Sequence, residues 1–310
     1  MPQARVRDLT FEYRTTGDST APALVLVMGT AAPLTMWDDA FCERLAGLGL
    51  HVVRFDYRDS GRSTHLARPM PPSIPAMMGA FAGGQLKPSY RLEDLADDLL
   101  GLLDVLGIGA AHLLGLSQGG GVAQLAAARA PDRVRALTLV ATSTAGPDVP
   151  PPSPDTMAVL LTDLPTDRPS FIAWNELMYT KTGGTNPPPD VAWIRARAER
   201  TWDHGWSAAG FLRHLLAVIS ATDRTPLLRQ LALPVSIVHG ASDPIFPIAA
   251  AHQVAQAIPG ARLRVVPGMG HDLPPVFWDA VVDAVREVSK VNAPSSSPSS
   301  PAAVPGRVAR

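Results

Sequence analysis

Short continuous apolar runs alternate along this chain with longer stretches whose apolar residues recur every three or four positions. The runs Ala23 to Met28, His51 to Phe55, Ala111 to Leu116, Val134 to Ala141, Val235 to His239 and Leu263 to Val266 read as strands, several of them apolar enough to be buried on both faces. Val6 to Arg14 alternates, ends at Thr16-Gly17-Asp18, and reads as a short antiparallel start. Helical spacing covers residues 35–48, Arg91 to Leu106, Gln118 to Ala130, Ile248 to Ile258 and Phe277 to Val288. In Arg91 to Leu106 six leucines share one side, acids (Glu93, Asp94, Asp97, Asp98) crowd the start where they suit the helix dipole, and Gly107 ends the pattern. Strands alternating with helices predict an α/β fold: a mostly parallel sheet with helices on both faces.

Two stretches break the rhythm. Residues 66–88 are rich in Pro, Met and Gly and have weak periodicity. Residues 146–225 form an insertion too long for a connection, with helical segments of its own and four of the six tryptophans, Trp174, Trp193, Trp202 and Trp206. It is expected to cap the C-terminal edge of a sheet built from residues 1–145 and 226–292. Residues 293–310, rich in Pro, Ser and Ala, are expected to be disordered.

Composition narrows the function. Of 310 residues 46% are hydrophobic and 18% charged, a globular balance. Lys+Arg is 27 against Asp+Glu 28, so no basic excess exists to hold a phosphate backbone, which argues against nucleic acid as a partner. The N-terminus lacks the apolar stretch of a secretory signal, and the run Ala23 to Met28 is too short to span a bilayer. A cytoplasmic protein without a membrane partner is the expectation. The single cysteine, Cys42, reads as a small buried apolar residue on a helix.

The sharpest chemical signal is Gly115-Leu116-Ser117-Gln118-Gly119. By itself such a pentapeptide arises by chance. Here it falls where a buried strand ends and a helix begins, the setting of a nucleophile elbow, in which a strained turn presents a serine hydroxyl and small flanking residues let strand and helix approach. A serine needs a base, and the expected chain order is Ser, Asp, His. Asp243, just past Val235 to His239, and His271, just past Leu263 to Val266, leave the same end of a parallel sheet. Each alone could be an ordinary loop residue. Together with Ser117 they have the order and placement of a triad. Asp272 is the weaker choice of acid, because it adjoins His271 and lacks a strand end of its own. The expected oxyanion donors are the backbone N–H groups of Gln118 and of Thr30, in the loop after the first buried strand. No grouping of His, Cys and carboxylates has metal-ligand spacing, and neither a Walker lysine nor G-x-G-x-x-G is present, so neither metal nor cofactor is expected.

With these residues the sequence resembles the α/β-hydrolase superfamily. Phe55-Asp56-Tyr57-Arg58-Asp59-Ser60-Gly61-Arg62-Ser63 is similar to the D-x-R-G-x-G-x-S segment of many members, with Asp59 in place of the usual Gly. Leu26-Val27-Met28-Gly29, His51 to Ser63, Gly115-Leu116-Ser117 and Pro267-Gly268-Met269-Gly270-His271 further resemble the aclacinomycin methylesterase group. The resemblance implies an α/β-hydrolase sheet with a helical cap inserted after the sixth strand. It also implies removal of a methyl ester from a polyketide without a cofactor, with Ser117, Asp243 and His271 as triad and Thr30 and Gln118 as oxyanion donors. Two departures, the longer 66–88 stretch and Gln118 where Met is common, are expected near the pocket.

The leading expectation is therefore a serine hydrolase that cleaves a carboxylic ester of a small-molecule substrate through an acyl-enzyme. C–C bond hydrolysis, acyl transfer and perhydrolysis would use the same triad. A noncatalytic binding protein on this scaffold would be expected to have lost a triad member, and none is lost. Trp174, Met178, Tyr179, Trp202 and Trp206 are the expected substrate-binding residues, suited to a large, flat acyl group. Packing of the cap's own interior would equally account for them.

Overall fold

A computed structural model describes residues 2–82 and 87–291 of the chain. Eight strands form one sheet: β1 (Gln3–Val6), β2 (Leu9–Thr16), β3 (Ala23–Val27), β4 (His51–Phe55), β5 (Ala111–Leu116), β6 (Val134–Val140), β7 (Val235–Gly240) and β8 (Arg262–Val266). Their order is β1-β2-β4-β3-β5-β6-β7-β8, antiparallel at β1/β2 and β2/β4 and parallel from there on. The expected antiparallel start is a hairpin rather than one strand. Its two-residue turn, Arg7-Asp8, puts Arg7 at φ 56°, the left-handed conformation that such turns require.

Eleven helices are present among the described residues: α1 (Asp39–Ala46), α2 (Ile74–Ala82), α3 (Leu92–Val105), α4 (Gln118–Arg129), α5 (Pro154–Leu160), α6 (Arg168–Thr182), α7 (Val191–Gly205), α8 (Ala208–Ile219), α9 (Thr225–Leu228), α10 (Ile248–Ala257) and α11 (Trp278–Val291). β3 shows why the central strands are apolar throughout. Ala23, Val25 and Val27 enter one core with leucines of α3 and alanines of α4, while Leu24, Leu26 and Met28 enter the other with residues of α1 and α11. Cys42 is buried in that second core, and burial pushes its thiol up to about 11. Of the acids near the start of α3, Asp98 also has a partner in the core. It is buried, and the Arg58 guanidinium holds it through two hydrogen bonds of 2.6 Å.

The 66–88 stretch contains α2, whose Ile74 and Met77 pack on Leu212 and Leu216 of α8. Five helices, α5 to α9, lie between β6 and β7. The expected tail, 293–310, lies outside the described residues. No described helix is long and apolar enough to cross a membrane.

Candidate active site

Ser117 joins β5 to α4 at φ 55°, ψ −119°, a conformation costly for a residue with a side chain. Its surroundings impose that turn. The Ser117 amide donates to Val140 O at 2.9 Å, and its carbonyl accepts from Thr142 Oγ1 at 2.8 Å. A Cβ on Gly119 would collide with the carbonyl oxygen of Val27, and one on Gly115 with that of Gly119. The crossing of β5, α4 and the end of β3 is closed to any larger side chain at these two positions.

The loops after β7 and β8 bring Asp243 and His271 to this turn. His271 Nδ1 lies 2.8 Å from Asp243 Oδ2, and Nε2 lies 2.9 Å from Ser117 Oγ. A carboxylate can only accept, so Nδ1 donates and Nε2 of the neutral ring accepts from the serine hydroxyl. Asp243 Oδ1 accepts the amides of Ile245 and Phe246 at 2.9 Å each. Burial pushes the Asp243 carboxyl up, but His271, His239 and the Phe246 amide outweigh it and hold the group below its ordinary value.

The histidine loop is also held from outside the sheet. The His271 amide donates to Thr182 O at 2.6 Å, and the Thr185 amide donates to Gly268 O at 2.8 Å. Gly184 and Met269 form an antiparallel bridge, and Thr185 Oγ1 lies 3.0 Å from Ser242 Oγ. Residues 182–185 thus touch the loops that carry both His271 and Asp243.

Ser117 and His271 open into a cavity of about 360 Å³ with mostly apolar walls. Met28, Gly29 and Thr30 line it beside Ser117, and a Cβ on Gly29 would stand 3.5 Å from the Ser117 Cβ. Gln118 opens α4, where a helix's first amides have no intrahelical acceptor. Thr30 and Gln118 therefore flank the candidate nucleophile. The Gln118 side chain does not line the cavity. It is buried against His214, with Nε2 2.8 Å from His214 Nδ1. Ile74 brings the 66–88 stretch to the wall.

Of the aromatic and Met positions expected at the substrate, Trp174, Met178 and Tyr179 line the cavity. Trp202 and Trp206 are a correction. They stack on each other at 5.9 Å and pack against Phe171 and Ala198, outside the cavity, because α7 turns them toward α6. Trp193, one of the cap aromatics expected to line a pocket, is in the wall, and one helical turn further along α7 so is Arg197, which the sequence did not single out. Asp272 also lines the cavity, and Arg197 holds it at 2.7 and 2.9 Å, so it does not face His271 Nδ1. The fold also gathers Glu12, Asp56 and His204, far apart in the chain, at one buried point. Asp56 already accepts from the amides of Leu34 and Arg62 and lies 2.7 Å from His204 Nε2.

The family model described as alpha/beta hydrolase fold matches residues 22–276. The chain belongs to the α/β-hydrolase family. Among its relatives, rhodomycin D methylesterase DnrP of Streptomyces peucetius is 27% identical, over 87% of this chain and 91% of its own. The pimeloyl-[acyl-carrier protein] methyl ester esterase of Nitrosomonas europaea is 28% identical over 83% of this chain and 90% of its own. The solved enol-lactonase from Burkholderia xenovorans LB400 superposes with a TM-score of 0.71 at 24% identity, covering 93% of this chain and 100% of that one, a likeness of fold. In this α/β hydrolase the D-x-R-G-x-G-x-S-like segment has a structural task. Asp59, at φ 61° where the pattern carries Gly, is buried and accepts from Arg213 of α8 at 3.0 Å. It ties the sheet to the helices of the insertion.

Proposed function

We propose that this α/β hydrolase is a serine esterase that cleaves a methyl or similarly small alcohol from the ester of a bulky, apolar acyl group. The observation that carries the reading is the unbroken relay from Asp243 Oδ2 through His271 to Ser117 Oγ at the edge of the apolar cavity. Ser117 attacks the ester carbonyl while His271 Nε2 takes its proton. Asp243 orients the ring and stabilises the imidazolium. The amides of Thr30 and Gln118 receive the oxyanion. His271 then returns the proton to the leaving alcohol, and water attacks the acyl-enzyme by the same route in reverse. Residues 146–225 serve as the cap, supplying Trp174, Met178 and Tyr179 to the acyl pocket. The esterase names of two relatives support the reading.

Labelling with a fluorophosphonate, followed by peptide mapping, tests the nucleophile: the label is expected on Ser117 and is lost in Ser117→Ala. An unlabelled, folded protein would overturn the reading. A panel of aryl methyl esters, acetate esters and vinylogous diketones tests the chemistry, with bulky methyl esters expected to be hydrolysed fastest. Preference for the diketones would move the assignment to C–C bond hydrolysis.

A further inference from the structure

The cavity wall is apolar except at a few points, and one of these is a buried ion pair that the proposed reaction does not use. Arg197 and Asp272 both line the cavity, and their side chains are only 4% and 8% exposed. The pair is bidentate, with Nη1 on Oδ1 at 2.7 Å and Nη2 on Oδ2 at 2.9 Å. The guanidinium also lies over the rings of Tyr179 and Trp193, each centred 4.2 Å from its central carbon. Asp272 also accepts the Leu273 amide at 2.8 Å. Asp38, the other carboxylate on the wall, caps α1 and faces Arg200 at 3.5 Å.

An arginine held against two aromatic rings, with its fork directed along one line, is the arrangement that binds a carboxylate well. Here the protein supplies the carboxylate itself. Asp272 takes the two-pronged Nη edge and neutralises the guanidinium charge, so a carboxylate on the substrate would find neither a bidentate fork nor a net positive charge and would have to shed its water in an apolar cavity. A neutral acyl group meets no such penalty.

We propose that Asp272 is a built-in counter-ion that silences Arg197, so that the Arg197–Asp272 pair sets the specificity of the acyl pocket for uncharged acyl groups. The proposal rests on the esterase reading for its substrates and not for its binding test. Asp272 is then a specificity-determining residue beside His271 and has no part in moving the serine proton.

The test uses dimethyl esters of dicarboxylic acids and the matching monomethyl esters, which differ by a single distal carboxylate, over a series of chain lengths. The wild-type protein is expected to favour the diester by at least about tenfold in kcat/KM, the scale of one unmet hydrogen bond to a charge. In Asp272→Asn the guanidinium, no longer neutralised, donates to the monoester carboxylate, and the ratio falls by about tenfold or more at the chain length that spans the cavity. Arg197→Met, which leaves a carboxylate in the wall, is expected to raise the ratio instead. Arg197→Met/Asp272→Leu returns it to the wild-type value. A pair that only staples α7 to the histidine loop would lower the melting temperature in all three variants and leave the ratio unchanged, which would overturn the proposal. The same ester pairs are titrated against Ser117→Ala forms by quenching of Trp174 and Trp193. This arm reads charge preference with the proposed nucleophile removed. Absence of hydrolysis in the wild type would defeat the esterase reading, whereas an unchanged binding ratio in Asp272→Asn would defeat this proposal.

Discussion

Asp243 and His271 stand 28 residues apart in the chain and 2.8 Å apart in space, with the Asp243 side chain fully enclosed. The enclosure leaves the carboxylate only fixed donors: the imidazole on one oxygen and the Ile245 and Phe246 amides on the other. Asp243→Asn can present N–H to the ring and favour the wrong tautomer, a change that costs about 10⁴ in turnover in serine proteases. We expect Asp243→Asn to lose at least about a hundredfold in kcat while its circular dichroism is retained. Asp272→Asn should lose less than about tenfold on a neutral ester. The opposite ranking in steady-state assays would transfer the acid role to Asp272.

Activity at subsaturating substrate should fall on acidification along a single limb. Asp243 is held below the ordinary carboxylate value, so it stays ionised to lower pH than a free carboxylate and adds no limb of its own. Two resolved acid limbs in kcat/KM against pH would show that a second group titrates with the base.

Stability has its own pH dependence. Burial brings the rings of His112 and His214 down to about 4. An unfolded imidazole titrates near 6.5, so the unfolded chain takes up these protons first. Their contribution is complete above about pH 7 and is lost as the pH falls from about 6.5 toward 4. His112→Leu should flatten the fall of the melting temperature between about pH 6.5 and 5. An unchanged slope would show that His112 is not a source of it.

The tight crossing beneath Ser117 predicts a local intolerance. Gly119→Ala places a methyl group against the backbone oxygens of Val27 and Met28, which cannot rotate away. A loss of about 2–3 kcal/mol is expected from urea unfolding. A loss under about 0.5 kcal/mol would mean that β3 and α4 separate easily.

The tryptophans should divide by location. Trp202→Ala removes a partly buried ring from the Phe171 cluster and should cost about 2 kcal/mol of stability without altering acyl preference. Trp174→Ala reshapes the cavity wall and should change the ratio of bulky to short acyl esters by at least about tenfold. Equal effects on that ratio would merge the two groups.

The core was legible because its signals are local. Continuous apolar runs such as Ala23 to Met28 and the glycines about Ser117 report strand burial and close approach within a few residues. The insertion was read less well, because contacts between distant segments decide it. Nothing within α7 tells that Trp193 faces the cavity while Trp202 faces Phe171. The spacing of Trp193 and Arg197 was a usable hint of stacking, but the partner that gives Arg197 its meaning, Asp272, is 75 residues away. The helix α2 was missed because its apolar residues make no stripe until Leu212 and Leu216 of α8 select Ile74 and Met77.

Residues 182–185 make the insertion more than an exchangeable wall. They reach the His271 loop through three backbone hydrogen bonds, two of which form the Gly184/Met269 bridge, and the Asp243 loop through Thr185 and Ser242. Pocket shape and loop support are thereby carried on one stretch of chain, so the two cannot be inherited separately. A chimera that grafts a foreign insertion between β6 and β7 would acquire new walls and lose the scaffolding of its own histidine. It should recover turnover only when the Thr182-Gly183-Gly184-Thr185 tetrapeptide travels with the host.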